Sequence, residues 1–166
     1  MAVRAVKTGG MLEAMTPPAP PPCKLVRLST DDAEPALRFD AWRERAHRWV
    51  DLLPPLPGSP LDAELLTLHS EACTFGVMRS TAYEMRTDSR RAGNEPGMVV
   101  LTLIQSGHVL HDAAPGTPQR IGPGMLGLYD TRGPGHYRWG PNSREVFLAL
   151  PRPDAAAALG REPGNM

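Results

Sequence analysis

The chain has 166 residues, of which 41% are apolar, 19 are proline and 16 are glycine. Proline interrupts helix interiors and glycine weakens them, so this composition excludes a helical bundle and favours short strands joined by turns. Lys and Arg number 18, as do Asp and Glu, which argues against a protein that binds nucleic acid through bulk positive charge.

Residues 1–24 predict a disordered leader, because the proline-rich run at 17–22 favours an extended tether over a packed element. The first 15 residues contain no apolar run of signal-peptide length, and no segment approaches the roughly 18 apolar residues of a membrane span. The only cysteines, Cys23 and Cys73, form no CxxC pair. The sequence therefore predicts a cytoplasmic protein with unpaired thiols and no membrane segment.

One helix is predicted early in the chain, after a short edge strand at Lys24–Ser29. Asp31 and Glu34 have the spacing of a helix-capping box. From residue 36 to residue 53 apolar side chains recur every three to four positions, which predicts an amphipathic helix of about four to five turns. Three aromatic residues of this segment are expected in the core or at an interface: Phe39, Trp42 and Trp49. The face around Trp42 and Trp49 is the candidate dimerisation surface.

Beyond residue 60 the hydrophobic period becomes alternating, which predicts about eight short strands at roughly 8–12-residue spacing. Met98–Ile104 is the most apolar of them and is predicted to be a central strand buried on both faces. This pattern is typical of an all-β sandwich or barrel. The predicted fold class is therefore mainly β, with one helix ahead of the barrel.

Catalytic and metal motifs are not evident in the sequence, which has no phosphate-binding loop, no dinucleotide fingerprint and no nucleophile elbow. His108 and His111 would lie on opposite faces of a strand, so each is predicted to be solvated or to flank a turn. His136 follows a Pro-Gly turn, as a ligand histidine does in metal-binding cupins. Those proteins need further ligands upstream, and residues 81–107 contain no histidine. No metal, cofactor or catalytic residue is predicted.

Five short motifs occur in a characteristic order, and their positions are 38–44, 101–107, 121–124, 128–134 and 148–152. Together they resemble the N-terminal ligand-binding domain of AraC/XylS-type transcription regulators, over about residues 28–153. The resemblance implies a cupin-like double-stranded β-helix, or jelly roll, that senses a small effector or mediates dimerisation and is not an enzyme. In that family a separate C-terminal pair of helix-turn-helix units binds DNA. Only residues 153–166 follow the last motif, so direct DNA binding by this chain is not expected.

The expected organisation is a leader at 1–24, an AraC-type cupin-like domain at 25–153 and a short tail at 154–166, in which a helix is predicted at 154–159. Such a chain is either a free-standing sensor or a truncated regulator. The expected partners are a small-molecule effector and a second chain, in a homodimer or in a heterodimer with a full-length regulator.

Candidate effector-pocket residues are the aromatic or polar side chains on predicted barrel strands: Tyr83, Tyr129, His136, Arg138 and Trp139. Because strand residues alternate between faces, about half of these are expected to point outward. The alternative function is a small cupin enzyme, a metal-dependent isomerase or dioxygenase. Its ligands would be drawn from His136 together with His69, Glu84 or His111.

Overall fold

The structure is a computed structural model that describes residues 22–46, 50–54, 60–87, 97–112 and 118–163. Within these ranges the chain forms eleven strands and two α-helices. The strands are β1 (Lys24–Ser29), β2 (Asp51–Leu53), β3 (Ala63–His69), β4 (Thr74–Ser80), β5 (Tyr83–Thr87), β6 (Met98–Ser106), β7 (Val109–Asp112), β8 (Gln119–Ile121), β9 (Leu126–Asp130), β10 (Gly135–Trp139) and β11 (Ser143–Pro151). The helices are α1 (Arg38–Ala46) and α2 (Arg152–Leu159).

The strands form two antiparallel sheets. The larger has the order β1-β3-β4-β11-β6-β9, and the smaller has the order β2-β5-β10-β7-β8. The inner faces of the two sheets, together with α1, enclose one apolar core. The prediction of a mainly β fold with a helix ahead of the barrel is confirmed, and β1 lies at a sheet edge as expected.

The helix is shorter than predicted at both ends. Ser29 begins a separate 3-10 turn, in which its Oγ accepts a hydrogen bond from the backbone N–H of Asp31 at 3.2 Å. A second 3-10 turn, Pro35–Leu37, leads into α1. The expected helical end at residues 51–53 is wrong because these residues pair with β5 as β2. Pro54 favours extended backbone in the residue before it, and sheet pairing there outweighs the helical spacing of the apolar side chains.

The aromatic residues of α1 belong to the core. Trp42 is only 2% exposed and lies in the main apolar cluster, and Phe39 packs against the same cluster. The guanidinium of Arg43 lies 5.6 Å from the centre of the Phe39 ring, on the solvent side. The expected dimerisation face around Trp42 is therefore wrong, since the indole is covered by the protein's own core. Trp49 lies outside the described residues.

The apolar strand β6 is not buried on both faces, contrary to prediction. Its burial alternates: Thr102 and Ile104 point into the core, whereas Leu101 is 39% exposed and Leu103 is 37% exposed. The continuous apolar run therefore consists of two sets of side chains, one on the core and one on the outer face of the larger sheet.

Two rows of side chains cross that outer face from strand to strand. The first row consists of Leu25, Leu68, Phe75, Leu148, Leu101 and Leu128, and the second of Arg27, Leu66, Val77, Val146, Leu103 and Leu126. Most of the large side chains in these rows remain exposed to solvent. We refer to these two rows as the outer apolar face. Apolar side chains exposed next to one another across several strands are uncommon on the surface of a monomeric domain.

Both edges of the outer apolar face are defined by other contacts. At one edge Glu64 accepts hydrogen bonds from Arg27 at 2.6 Å and from Arg79 at 3.0 Å, and these two arginines lower the pKa of its carboxyl group. At the other edge α2 packs through Ala155 against Val99 and Leu128. The sheet thus leaves its aliphatic centre open between an ionic edge and a helix.

The prediction of a helix at 154–159 is confirmed as part of α2. The helix ends at Gly160, whose φ of 65° is the left-handed conformation that glycine adopts without strain. Its first residue, Arg152, is fixed to the barrel: the Nε donates a hydrogen bond to Asp130 Oδ2 at 3.0 Å, and the backbone N–H donates to the carbonyl of Gly97 at 3.1 Å. No described helix is long and apolar enough to cross a membrane.

Candidate ligand-binding site

A cavity of about 800 Å³ lies between the two sheets. One wall is the inner face of the larger sheet, including Leu65, Thr67 and Val100, and the other includes Met85 and Tyr137 from the smaller sheet. The last turn of α1 lies beside the cavity. This volume is within the range of small-molecule sites, which are typically apolar with a few polar groups that orient the ligand.

Glu145 is a buried acidic side chain in the wall of this cavity. It lies on β11 opposite Met78 and Ile104, and the whole residue is 6% exposed. Its Oε2 accepts a hydrogen bond from the Thr102 hydroxyl at 2.7 Å. Burial raises the pKa of the Glu145 carboxyl to about 7, although the hydrogen bond from Thr102 opposes this rise. The group therefore changes charge near neutral pH.

A group of aromatic rings forms the wall next to Glu145. Tyr83 stacks on Trp139 with ring centres 4.7 Å apart, and His111 stacks on Tyr137 at 4.6 Å. Tyr129 meets Tyr137 edge to face at 4.9 Å. Such contacts fix the ring positions, so the wall is formed before any ligand arrives.

The tyrosines of this wall remain neutral at physiological pH. Burial, and next the charge of Glu145, raise the pKa of both Tyr83 and Tyr129. Burial also raises the pKa of Tyr137. The Tyr129 hydroxyl is buried and has no hydrogen-bond partner among the described residues. It is thus a neutral polar group that a ligand in the cavity can pair with.

The Phe147 ring completes the wall because the chain has a glycine opposite it. Phe147 pairs with Gly76 across β11 and β4. A Cβ atom at Gly76 would collide with the end of the Phe147 ring. The absence of a side chain at residue 76 therefore lets the ring lie flat along the cavity wall.

The five pocket residues predicted from the sequence fall into two groups. Tyr129 and Trp139 line the cavity, and Tyr83 lies directly behind Trp139. His136 and Arg138 alternate with the inward residues of β10 and lie on the other face of the smaller sheet. There the Nε2 of His136 is 2.9 Å from Glu84, and Arg138 donates to Asp112 at 3.0 Å.

Among the lining residues that the sequence did not predict are Tyr137, Glu145 and Phe147. The signal for Tyr137 was available, because it lies two residues before Trp139 on one strand and therefore shares its face. For Glu145 the available signal was an acidic residue at an inward position of an otherwise apolar strand.

His111 is not solvated or turn-flanking as predicted, because it is fully buried against Tyr137 and Tyr129. Burial lowers the pKa of its imidazole, which favours the neutral form that stacks on an apolar ring.

The residues proposed for a metal-dependent enzyme do not converge. His69 faces the cavity between the hydroxyls of Thr67, at 2.7 Å, and Thr74, at 2.9 Å. His136 lies with Glu84 on the outer face of the smaller sheet. Across the parts of the chain that the structure describes, no three His, Cys, Asp or Glu side chains come together as metal ligands. A cupin metal site takes three or four ligands in one cavity.

Comparison with protein families gives a match to the AraC-binding-like domain over residues 39–165. The chain belongs to the AraC-binding-like domain family. The match includes α1 from its second residue, every described strand except β1, and α2. No curated protein matches the sequence of this chain.

Solved structures with similar folds include an AraC-like regulator. The AraC-like transcriptional activator CuxR is 19% identical to the present chain in sequence, and the two structures superpose with a TM-score of 0.70. The match covers 82% of the present chain and 51% of the CuxR chain. The present chain thus spans about half the length of the activator. More distant similarities are to the Schizosaccharomyces pombe Cnp3 cupin domain (14% identity, TM-score 0.43, 66% and 80% coverage) and to KdgF from Halomonas sp. (14%, 0.39, 63% and 91%).

Proposed function

We propose that the chain is the effector-binding domain of an AraC-like transcription regulator and acts without catalysis. A small molecule binds in the cavity between the sheets and changes how the domain associates with other chains. The cavity of about 800 Å³, with its aromatic wall and the buried carboxyl group of Glu145, carries this proposal. Family membership supports the regulatory role. The ligand-binding domain is taken as residues 25–153, with a leader at 1–24 and a tail at 154–166.

The domain acts in the cytoplasm through a partner chain and does not contact DNA itself. Its 18 basic and 18 acidic side chains leave no excess positive charge for the phosphate backbone. The weaker candidate is a metal-dependent cupin isomerase or dioxygenase, which requires a set of converging ligands that the described residues do not form.

A mobility-shift assay at low ionic strength tests the regulatory role. Added alone to the operator of a full-length AraC-like regulator, the chain is expected to leave the DNA unshifted. Added with that regulator, it is expected to weaken or alter the regulator's shift. A specific shift by the chain alone, or a regulator shift that stays the same at every concentration of the chain, contradicts the proposal.

The partner surface in this proposal is the outer apolar face, and its occupant is a second copy of the chain. A twofold interface uses the same patch on both subunits, and two aliphatic sheet faces are complementary without any charge pairing. The edge of the face carries both signs of charge, in Arg27, Glu64 and Arg79, so two copies do not repel each other there.

The double variant Leu68→Glu with Leu101→Glu is expected to be monomeric where the parent chain is a dimer. Both residues lie in the first row of the outer apolar face, and each introduced carboxylate would be desolvated in a paired sheet. Sedimentation equilibrium across micromolar concentrations measures the change. Leu37→Glu is the matched control, since Leu37 is 57% exposed on a 3-10 turn away from the face. A monomeric parent chain, or a double variant that still forms dimers, rejects this interface.

A further inference from the structure

The side chains of the cavity indicate a narrower class of ligand than its volume does, because Glu145 lies there without a cation. In the described chain no ion pair joins Glu145 to an arginine, lysine or histidine, and its identified hydrogen-bond donor is the Thr102 hydroxyl. A buried carboxylate without a counter-charge is unfavourable, so the site favours either a proton or a cationic ligand.

A cation bound by the Glu145 carboxylate would also be close to aromatic rings. Tyr129, Tyr137, Trp139 and Phe147 all line the cavity, and Tyr129 lies close enough for the charge of Glu145 to raise its pKa. The faces of aromatic rings attract cations, and aromatic cages bind ammonium groups in many proteins. A carboxylate next to several ring faces is therefore suited to a positively charged group on an apolar body.

Other charges near the cavity do not change this preference. Arg45 and Glu44 are exposed at the end of α1 and oppose each other in sign, and Asp130 is paired with Arg152. The other titratable groups that line the cavity or form its aromatic wall are Tyr83 on β5, Tyr129 and Asp130 on β9, Tyr137 on β10, His111 on β7 and His69 on β3. The tyrosines are neutral, and burial favours neutral His111.

We propose that the effector is a small apolar amine whose ammonium group pairs with Glu145 and lies against Tyr129, Tyr137 and Trp139. This inference rests on the proposed function, because it names the ligand class of the same cavity. The apolar body of the amine fills the remainder of the cavity, which is lined by aliphatic side chains such as Leu65, Met85 and Val100. An N–H of the ammonium group supplies the partner that the Tyr129 hydroxyl lacks among the described residues.

The protonation of Glu145 makes the affinity depend on pH. The carboxyl has a pKa of about 7 before binding, and a bound ammonium favours its charged form. The amine is cationic throughout this range, so its binding displaces the proton of Glu145. The affinity for the amine is therefore expected to rise about tenfold between about pH 6 and about pH 8.

Isothermal titration calorimetry with three matched compounds tests the proposal. The compounds are biphenylmethylamine, the neutral isostere biphenylmethanol and the anion biphenylcarboxylate. At about pH 8 the amine is expected to bind the parent chain at least about tenfold more tightly than the alcohol, because only the amine gains the charge interaction. The carboxylate is expected to bind most weakly. The quaternary biphenylmethyl-trimethylammonium ion has no proton to lose, so its pH dependence reports on the protein alone.

Two variants assign the effect to the cavity. Glu145→Gln keeps the size of the side chain and removes its charge, so it is expected to lose both the preference for the amine and the pH dependence. Glu84→Gln is the matched control, because Glu84 is a carboxylate on the other face of the smaller sheet, beside His136. It is expected to bind all four compounds as the parent chain does.

The amine proposal is overturned if the alcohol or the carboxylate binds as tightly as the amine, if Glu145→Gln keeps the preference, or if no compound binds. In the first two cases the cavity still binds a ligand and the regulatory role stands. That role is tested separately by the mobility-shift assay, so the two failures are distinguishable.

Discussion

Replacing Trp42 with alanine is expected to lower the free energy of unfolding by about 3–5 kcal/mol, the range seen when buried aromatic residues are truncated in protein cores. Trp42 is 2% exposed and belongs to the main apolar cluster, where α1 covers the barrel. Truncation removes the contact area of the indole and leaves a void that a two-sheet scaffold does not readily close. Urea unfolding followed by circular dichroism measures the change.

The control for Trp42 lies five residues earlier in the chain, in the 3-10 turn that precedes α1. Leu37 is 57% exposed, and Leu37→Ala is expected to change stability by less than about 0.5 kcal/mol. If the two variants unfold at the same urea concentration, then α1 is not part of the cooperative core.

Replacing Glu145 with glutamine is expected to stabilise the protein at neutral and alkaline pH. The pKa of Glu145 is about 7 in the folded chain against 4.5 for an exposed glutamate, so the folded state holds the proton more tightly. Its contribution to stability is complete below about pH 4.5 and is lost as the pH rises through about 7. At 1.36 kcal/mol per pKa unit, this shift corresponds to about 3 kcal/mol.

The difference in unfolding free energy between Glu145→Gln and the parent chain is therefore expected to grow by about 3 kcal/mol from about pH 4.5 to above pH 7. Urea unfolding at a series of pH values measures it. The comparison cancels the other titrating groups, including His111, whose buried imidazole contributes in the opposite direction. Glu84→Gln, on the outer face of the smaller sheet, serves again as the control. A difference that stays constant with pH would show that folding does not raise the pKa of Glu145.

Much of the fold follows from local sequence rules. Alternation of apolar and polar residues, with Pro and Gly between the runs, located most strands because each strand has one face on the core. The end of α1 could not be predicted from these rules. Residues 51–53 keep the helical spacing of apolar side chains and become a strand only because they pair with β5. The continuous apolar run Met98–Ile104 led to the wrong prediction of a strand buried on both faces. A strand with two apolar faces has the same sequence pattern whether one face or both faces are covered.

The site was less predictable than the fold because it depends on which strands face each other. Residue type alone was enough to select Tyr129 and Trp139, which line the cavity. The alternation of strand residues predicted that some candidates would point outward, as His136 and Arg138 do. The environment of Glu145 could not be predicted from the sequence. Its pKa depends on rings from β5, β9 and β10, which meet only when the two sheets close on each other.

One ion pair links the cavity to the first residue of α2. Asp130 lines the cavity, and its carboxylate accepts the hydrogen bond from Arg152 that fixes the start of α2. A ligand that binds more tightly when this pair is intact therefore strengthens the docking of α2, and a docked α2 strengthens ligand binding by the same factor. For such a ligand, the docking of α2 on the outer surface of the barrel would report on whether the cavity is occupied.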